Sequence, residues 1–205
     1  AAALAFAFLS GLDYFTGDAR ARLQFKYAYL ISYLYCLSVG LGALFFVMLQ
    51  HVTGARWSIV LRRLSEQLAM TLPLMAVLFL PILAWLPDLY PWARPEAAAD
   101  PVIRSKAAYL NEPFFAARAT FYFAVWIGLA LLLRHQSLRQ DATGDPRLKL
   151  SMSRWSAPGI LLFSLTITFA AFDWLMSLSP HWYSTIFGIY IFAGGGISLQ
   201  AGGSI

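Results

Sequence analysis

Charged residues are scarce in this 205-residue sequence: Asp, Glu, Lys and Arg make up 12% of it, against about 25% in a usual soluble domain. That scarcity argues against an ordinary water-soluble domain. Cysteine is nearly absent. Cys36 stands alone, which excludes an intrachain disulfide and a four-cysteine zinc or iron–sulfur site within the chain. There is no CxxCH for covalent haem attachment, and no EXXH or HEXXH with paired carboxylates for zinc or di-iron. The three histidines, His51, His135 and His181, fall at the ends of apolar runs, two at one side and one at the other. Haem b needs axial ligands at matched depth, so that arrangement argues against it. The net charge of +5 is spread over connecting segments, which argues against nucleic acid as a partner.

What remains is apolar and aromatic. The sequence is 60% hydrophobic and 16% aromatic, with a mean hydropathy of +0.63. Runs of about 20 apolar residues cross a bilayer core of about 30 Å, and in lipid such runs close their backbone hydrogen bonds as helices. The expected fold is all-α, a polytopic transmembrane helical bundle forming a single domain over residues 1–205. Six spans are read: 1–15, 27–50, 67–87, 115–134, 157–178 and 182–200. Pro73 and Pro81 fall inside the third and predict kinks, tolerated where neighbours satisfy the freed carbonyls. The sequence opens AAALAFAF without Met and closes IYIFAGGGISLQAGGSI without a polar tail, so a piece of a longer chain is expected. No basic segment precedes the opening run, unlike a signal peptide.

The connections alternate between two sides. Residues 16–26 and 88–114 lie on one, and 51–66 and 135–156 on the other. Basic residues barely discriminate between them. The short loop HVTGARWSIVLRR carries no acid, and short basic loops orient best, so the 51–66 and 135–156 side is assigned to the cytoplasm. Arg62 and Arg63 in that loop read as lipid-contacting or orienting residues.

The segment FDWLMSLSPHWYS, residues 172–184, holds the most informative polar group. Asp173 lies in a predicted span, where an ionisable residue is costly unless paired, neutral or wet. On a helix Thr166, Asp173 and Ser177 share one face, and Ser179-Pro180 is a helix start that places His181 in the first turn of the next span. These four residues are candidates for a proton path. The alternative for Asp173 is a hydrogen bond that holds two helices together. Tyr29 and Tyr33, one turn apart, are weaker candidates for a quinone pocket, or else pack between helices. Arg118 lies just inside the fourth span, where an ion pair with Glu112 or Asp173 competes with snorkelling to the headgroups. No residue is identified as catalytic and no metal ligands are found.

Several stretches then occur together: LQHVTGARWSIVLRRLSEQ, TLPLMAVLFLPIL, DLYPWARP, AAYLNEPFFAARATFYFAVWIGLALLL, SLRQD and FDWLMSLSPHWYSTIFGIYIFAG. In order and jointly, they resemble the ActF-type membrane subunit of bacterial alternative complex III, a quinol:electron-acceptor oxidoreductase. Its relatives are the ActC and NrfD/PsrC-type membrane subunits. The resemblance runs from about residue 49 to residue 194, with no single catalytic signature in it. It implies a subunit of about ten spans, of which this chain holds the first six, in the bacterial cytoplasmic membrane. It implies a non-redox role as scaffold and proton-conducting path. Menaquinol or ubiquinol would be the substrate of the complex. Haem c and iron–sulfur clusters would lie in partner subunits beside an ActC-like membrane subunit, with no cofactor bound by this chain. The alternatives that the residues leave open are a quinone-binding membrane subunit and an independent secondary transporter.

Overall fold

The computed structural model describes residues 18–54, 59–179 and 193–194. The described residues are helical and contain no strand. The long elements are α1 (Ala19–Thr53), α2 (Ile59–Ala69), α7 (Glu112–Thr143) and α8 (Pro146–Trp174). Between α2 and α7 the chain makes short helices: α3 (Leu72–Leu78), α4 (Leu80–Ala84), α5 (Leu86–Leu89) and α6 (Pro101–Ser105). Two 3₁₀ turns, Pro91–Ala93 and Pro95–Ala99, separate α5 from α6, and a third, Met176–Leu178, follows α8.

Four stretches are long and apolar enough to cross a membrane: Ala19–Thr53, Leu61–Ala84, Glu112–Thr143 and Pro146–Leu178. They coincide with the expected second to fifth spans. The expected spans at 1–15 and 182–200 lie outside the described residues, apart from 193–194, as does His181.

The connections need correction. Residues 135–156 were expected as a loop, but α7 runs to Thr143 and α8 begins at Pro146. The intended loop is Gly144 and Asp145. Likewise α1 reaches back to Ala19 through the expected loop 16–26, and α2 already covers 59–66. The physical reason is that charge marks where lipid ends, whereas a helix continues into the headgroup layer until its backbone is capped. Here the caps are Gly54 and Gly144, at φ 64° and 65°, the left-handed conformation that glycine adopts without steric cost. Their N–H groups donate to the Gln50 and Gln140 carbonyls.

Proline and short polar residues write the starts. Asn111 accepts from the Phe114 N–H at 2.9 Å, Asp145 from Arg147 at 2.8 Å and Asp100 from Val102 at 2.9 Å, each ahead of a proline in the first turn. This is N-capping with proline where no amide is needed. The third span repeats Leu-Pro at 72–73, 80–81 and 86–87, and each pair opens a new short helix. The expected kinks fall at the joints between these short helices, where Thr71 and Phe79 keep α-region backbone. Carbonyls along this stretch are met from α1: Tyr33 donates to Met75 (3.0 Å), Tyr29 to Leu78 (2.7 Å) and Tyr27 to Leu89 at the end of α5 (3.2 Å). Thr71 caps the end of α2 by donating to the Leu68 carbonyl at 2.7 Å.

Packing centres on α1, which lies against α2 and α8, while α8 also lies against α7. Small residues set two close approaches. A Cβ on Gly40 would stand 3.2 Å from Thr71 Oγ1, and one on Gly159 would stand 3.2 Å from both Met48 Sδ and Leu129 Cδ2. The core is aromatic. Phe79, delivered at the break between α3 and α4, sits 4.8 Å from Trp174 between ring centroids, and Trp174 lies 5.8 Å from Trp126, edge to face. Phe115, Phe123 and Tyr90 complete this cluster. By contrast Ile31, Tyr35, Leu161 and Leu165 are exposed on the outer faces, as lipid-facing positions of a bundle would be.

Cross-links between connections follow the alternation read from the sequence. Lys26 pairs with Asp88 at one end of the bundle, and Arg63 with Asp141 at the other.

Candidate functional site: a buried arginine–aspartate clasp

Asp173 lies in the last turn of α8, 1% exposed. Arg118, one and a half turns into α7, grips it with two parallel bonds. Nε donates to Oδ2 and Nη2 to Oδ1, both at 2.8 Å. Tyr122, one turn after Arg118, donates its hydroxyl to Oδ2 at 2.8 Å. The spacing of four places Arg118 and Tyr122 on one face of α7, turned toward α8. A bidentate, charge-assisted pair of this kind is among the strongest hydrogen-bonded contacts.

The arginine is itself enclosed. Its Nη1 donates to the Tyr109 carbonyl at 3.0 Å. The guanidinium carbon stands 3.9 Å from the Tyr109 ring centroid and 4.3 Å from that of Phe114, within cation–π range. Residues 106–110 are therefore latched over the clasp. Burial, and after it the negative charge of Asp173, push the Tyr109 phenol up to about 12. Tyr90, which donates to the last carbonyl of α8 at Trp174 (3.1 Å), is also raised, by burial first and by Asp173 second.

The structure brings together some of the predicted residues and separates others. Of the two acids offered for Arg118, it selects Asp173. Glu112 is exposed in the first turn of α7 and makes no ion pair among the described residues, since a helix start already favours a carboxylate there. Snorkelling is likewise overturned for Arg118, because its charge is met inside the bundle. No direct side-chain hydrogen bond joins Thr166, Asp173 and Ser177 among the described residues. Thr166 is buried, but its hydroxyl accepts from Trp126 Nε1 at 2.9 Å and donates to the Leu162 carbonyl at 2.9 Å. Ser177 donates to the backbone carbonyl of Asp173 rather than to its carboxylate. A hydroxyl on a helix finds its own preceding carbonyl first. Tyr29 and Tyr33 have their hydroxyls on backbone carbonyls, as above.

Three participants were missed. Tyr109 and Tyr122 join the clasp; Tyr122 was within reach of sequence reasoning as the residue one turn beyond Arg118. The third is Glu66, 3% exposed at the opposite end of the bundle. Arg63 Nη1 donates to Glu66 Oε2 at 2.8 Å and to Ser137 Oγ at 3.1 Å, and Ser137 donates to Glu66 Oε1 at 2.8 Å. Arg62 Nε stands 3.6 Å from Glu66. These arginines thus neutralise a buried acid. The signal was the spacing of three and four residues in RRLSE. His51 is buried, and its Nε2 has no partner among the described residues.

Fold and site together define a class: an all-helical chain, over its described residues, with four helices compatible with a membrane and an ion pair buried near one end of them. In comparisons with known proteins, no family model matches this chain and no curated protein is significantly similar to it.

Proposed function

We propose that this chain is a non-redox membrane subunit of a quinol-oxidising electron-transfer complex of the alternative complex III type, acting as a helical scaffold with Asp173 as a proton-handling group. The partners are an ActC-like membrane subunit, a multihaem cytochrome c and an iron–sulfur subunit in the bacterial cytoplasmic membrane. Two things support the reading: the joint resemblance of six stretches, and a carboxylate held inside an apolar bundle by an arginine that has further contacts of its own.

That second feature carries the chemistry. A proton delivered to Asp173 cancels its charge and loosens both arginine bonds. The guanidinium then still has the Tyr109 carbonyl and two ring faces to hold it. Tyr122 keeps its oxygen within 2.8 Å of the carboxylate, so it can donate in the charged state and accept in the neutral one. The site thus has two electrically distinct states, and the neutral one carries the several-kcal/mol cost of a buried arginine left without its counter-charge.

The test uses the assembled complex in liposomes, with quinol oxidation and proton movement followed together. Asp173→Asn alone strands a buried arginine, so the informative variant is the neutral pair Arg118→Gln/Asp173→Asn. The reading expects assembly and quinol turnover with reduced proton translocation. Unchanged translocation would leave the clasp a purely structural contact.

A further inference from the structure

The α7–α8 hairpin carries positive charge with nothing set against it. Arg134, Arg139, Arg147, Lys149 and Arg154 lie toward its turn, and none of the five side chains makes an ion pair or hydrogen bond among the described residues. The two acids near the turn are engaged elsewhere. Asp141 pairs with Arg63, and the Asp145 carboxylate caps α8 by accepting from the Arg147 N–H at 2.8 Å.

Two of these arginines stand at a defined depth. Residues 155–172 of α8 carry no charge, and the helix rises about 28 Å between Arg154 and Asp173, close to a bilayer core of about 30 Å. Asp173 and Arg154 thus mark the two limits of the apolar layer. The helices α7 and α8 approach closely at Leu129 and Gly159. Arg134 and Arg154 each lie about 8 Å of helix from that approach, toward the turn, so they share one level. Trp155, 53% exposed, stands there too, where an indole favours the headgroup zone.

One face of α8 joins that level to the apolar layer. Arg147, Leu150, Arg154, Leu161 and Leu165 recur along it at helical spacing, and Leu150, Leu161 and Leu165 are 54%, 69% and 59% exposed. From Arg154 to Leu165 the face runs about 16 Å, near half a bilayer core and so the depth of one acyl chain. A soluble acidic peptide would meet the arginines but leave this apolar track uncovered.

We infer that this face of α8 holds one anionic phospholipid, its phosphate on Arg154 beside Trp155 and an acyl chain along Leu161 and Leu165. Basic residues at a membrane surface recognise anionic headgroups in this way. The inference rests on the membrane reading proposed above but needs neither quinol nor proton transfer.

The experiment first floats the full chain with dioleoylphosphatidylcholine vesicles. It then titrates the delipidated chain in detergent with dioleoylphosphatidylglycerol and counts bound lipid by native mass spectrometry. One phosphatidylglycerol should be retained in preference to phosphatidylcholine, whose headgroup cancels its own phosphate charge. Arg154→Gln should weaken that retention about fivefold, the worth of one basic residue at an anionic surface, with phosphatidylcholine binding and unfolding temperature unchanged. Arg139→Gln, nearer the turn, should leave it as in wild type. Equal retention of the two lipids, or no effect of Arg154→Gln, would overturn the site. Displacement of the lipid by soluble polyglutamate would overturn it in favour of an acidic polypeptide partner. Failure to float with the vesicles would overturn the membrane reading and this site with it.

Discussion

Each end of this bundle buries one acid against arginine, and the two differ in how much water reaches the arginine. Asp173 meets Arg118, whose side chain is 10% exposed. Glu66 meets Arg63, whose side chain is 34% exposed and which also reaches Asp141. In low dielectric, losing one partner leaves an uncompensated charge that costs several kcal/mol. At a wetter site the orphaned charge turns to solvent. The same pair of residue types therefore makes a rigid clasp at one end and an adjustable network at the other.

Four substitutions or conditions sharpen that contrast. The largest effect is expected from Asp173→Asn, which should destabilise the chain in detergent by about 3–5 kcal/mol, the cost of breaking a buried pair. Leu and Met in place of Asp173 and Arg118 should recover most of it, as read from thermal unfolding. Glu66→Gln should cost less, about 1–3 kcal/mol, because Arg62 and Arg63 remain partly wet. Equal costs for the two acids would mean that the exposure of the arginine does not set them. Raising salt should widen the difference, since of the two arginines Arg63 is the more exposed and so the more open to screening.

Tyr33→Phe should cost about 1 kcal/mol, leaving the Met75 carbonyl without its donor. Denaturant unfolding of this variant beside Tyr29→Phe would show whether each break in the third span depends on its own tyrosine. The smallest effect concerns alkaline pH. Below about pH 10 Tyr109 is neutral whether the chain is folded or unfolded. As pH rises from there toward about 12, the unfolded phenol ionises first, so the folded state loses stability. Tyr109→Phe should flatten that part of the stability profile. A profile identical to wild type would mean that the phenol ionises as freely folded as unfolded.

Much of the helical architecture was legible because long apolar runs favour helices that close their own backbone hydrogen bonds. The runs at 27–50, 67–87, 115–134 and 157–178 were found from hydropathy alone, and each corresponds to a helix long enough to span. Their connections were misjudged because hydropathy reports where lipid stops, while helix ends depend on local caps such as Gly144. Asp173 and Arg118 were each visible as charges out of place in apolar runs. Glu66 was not, because it stood at the edge of a run already assigned to water.

By itself, then, the sequence determined the helical class, four segments long and apolar enough to cross a membrane, the proline breaks and the two improbable charges, since all of these follow from neighbours along the chain and from the cost of polar groups in apolar surroundings. Only the tertiary structure decided which acid Arg118 holds, 55 residues away. The same holds for the tyrosines of α1, which stitch a broken span that is 42 and 49 residues distant. Such pairings depend on how helices turn their faces to one another, and that is set by the packing of Gly40, Gly159 and the aromatic core rather than by any local spacing.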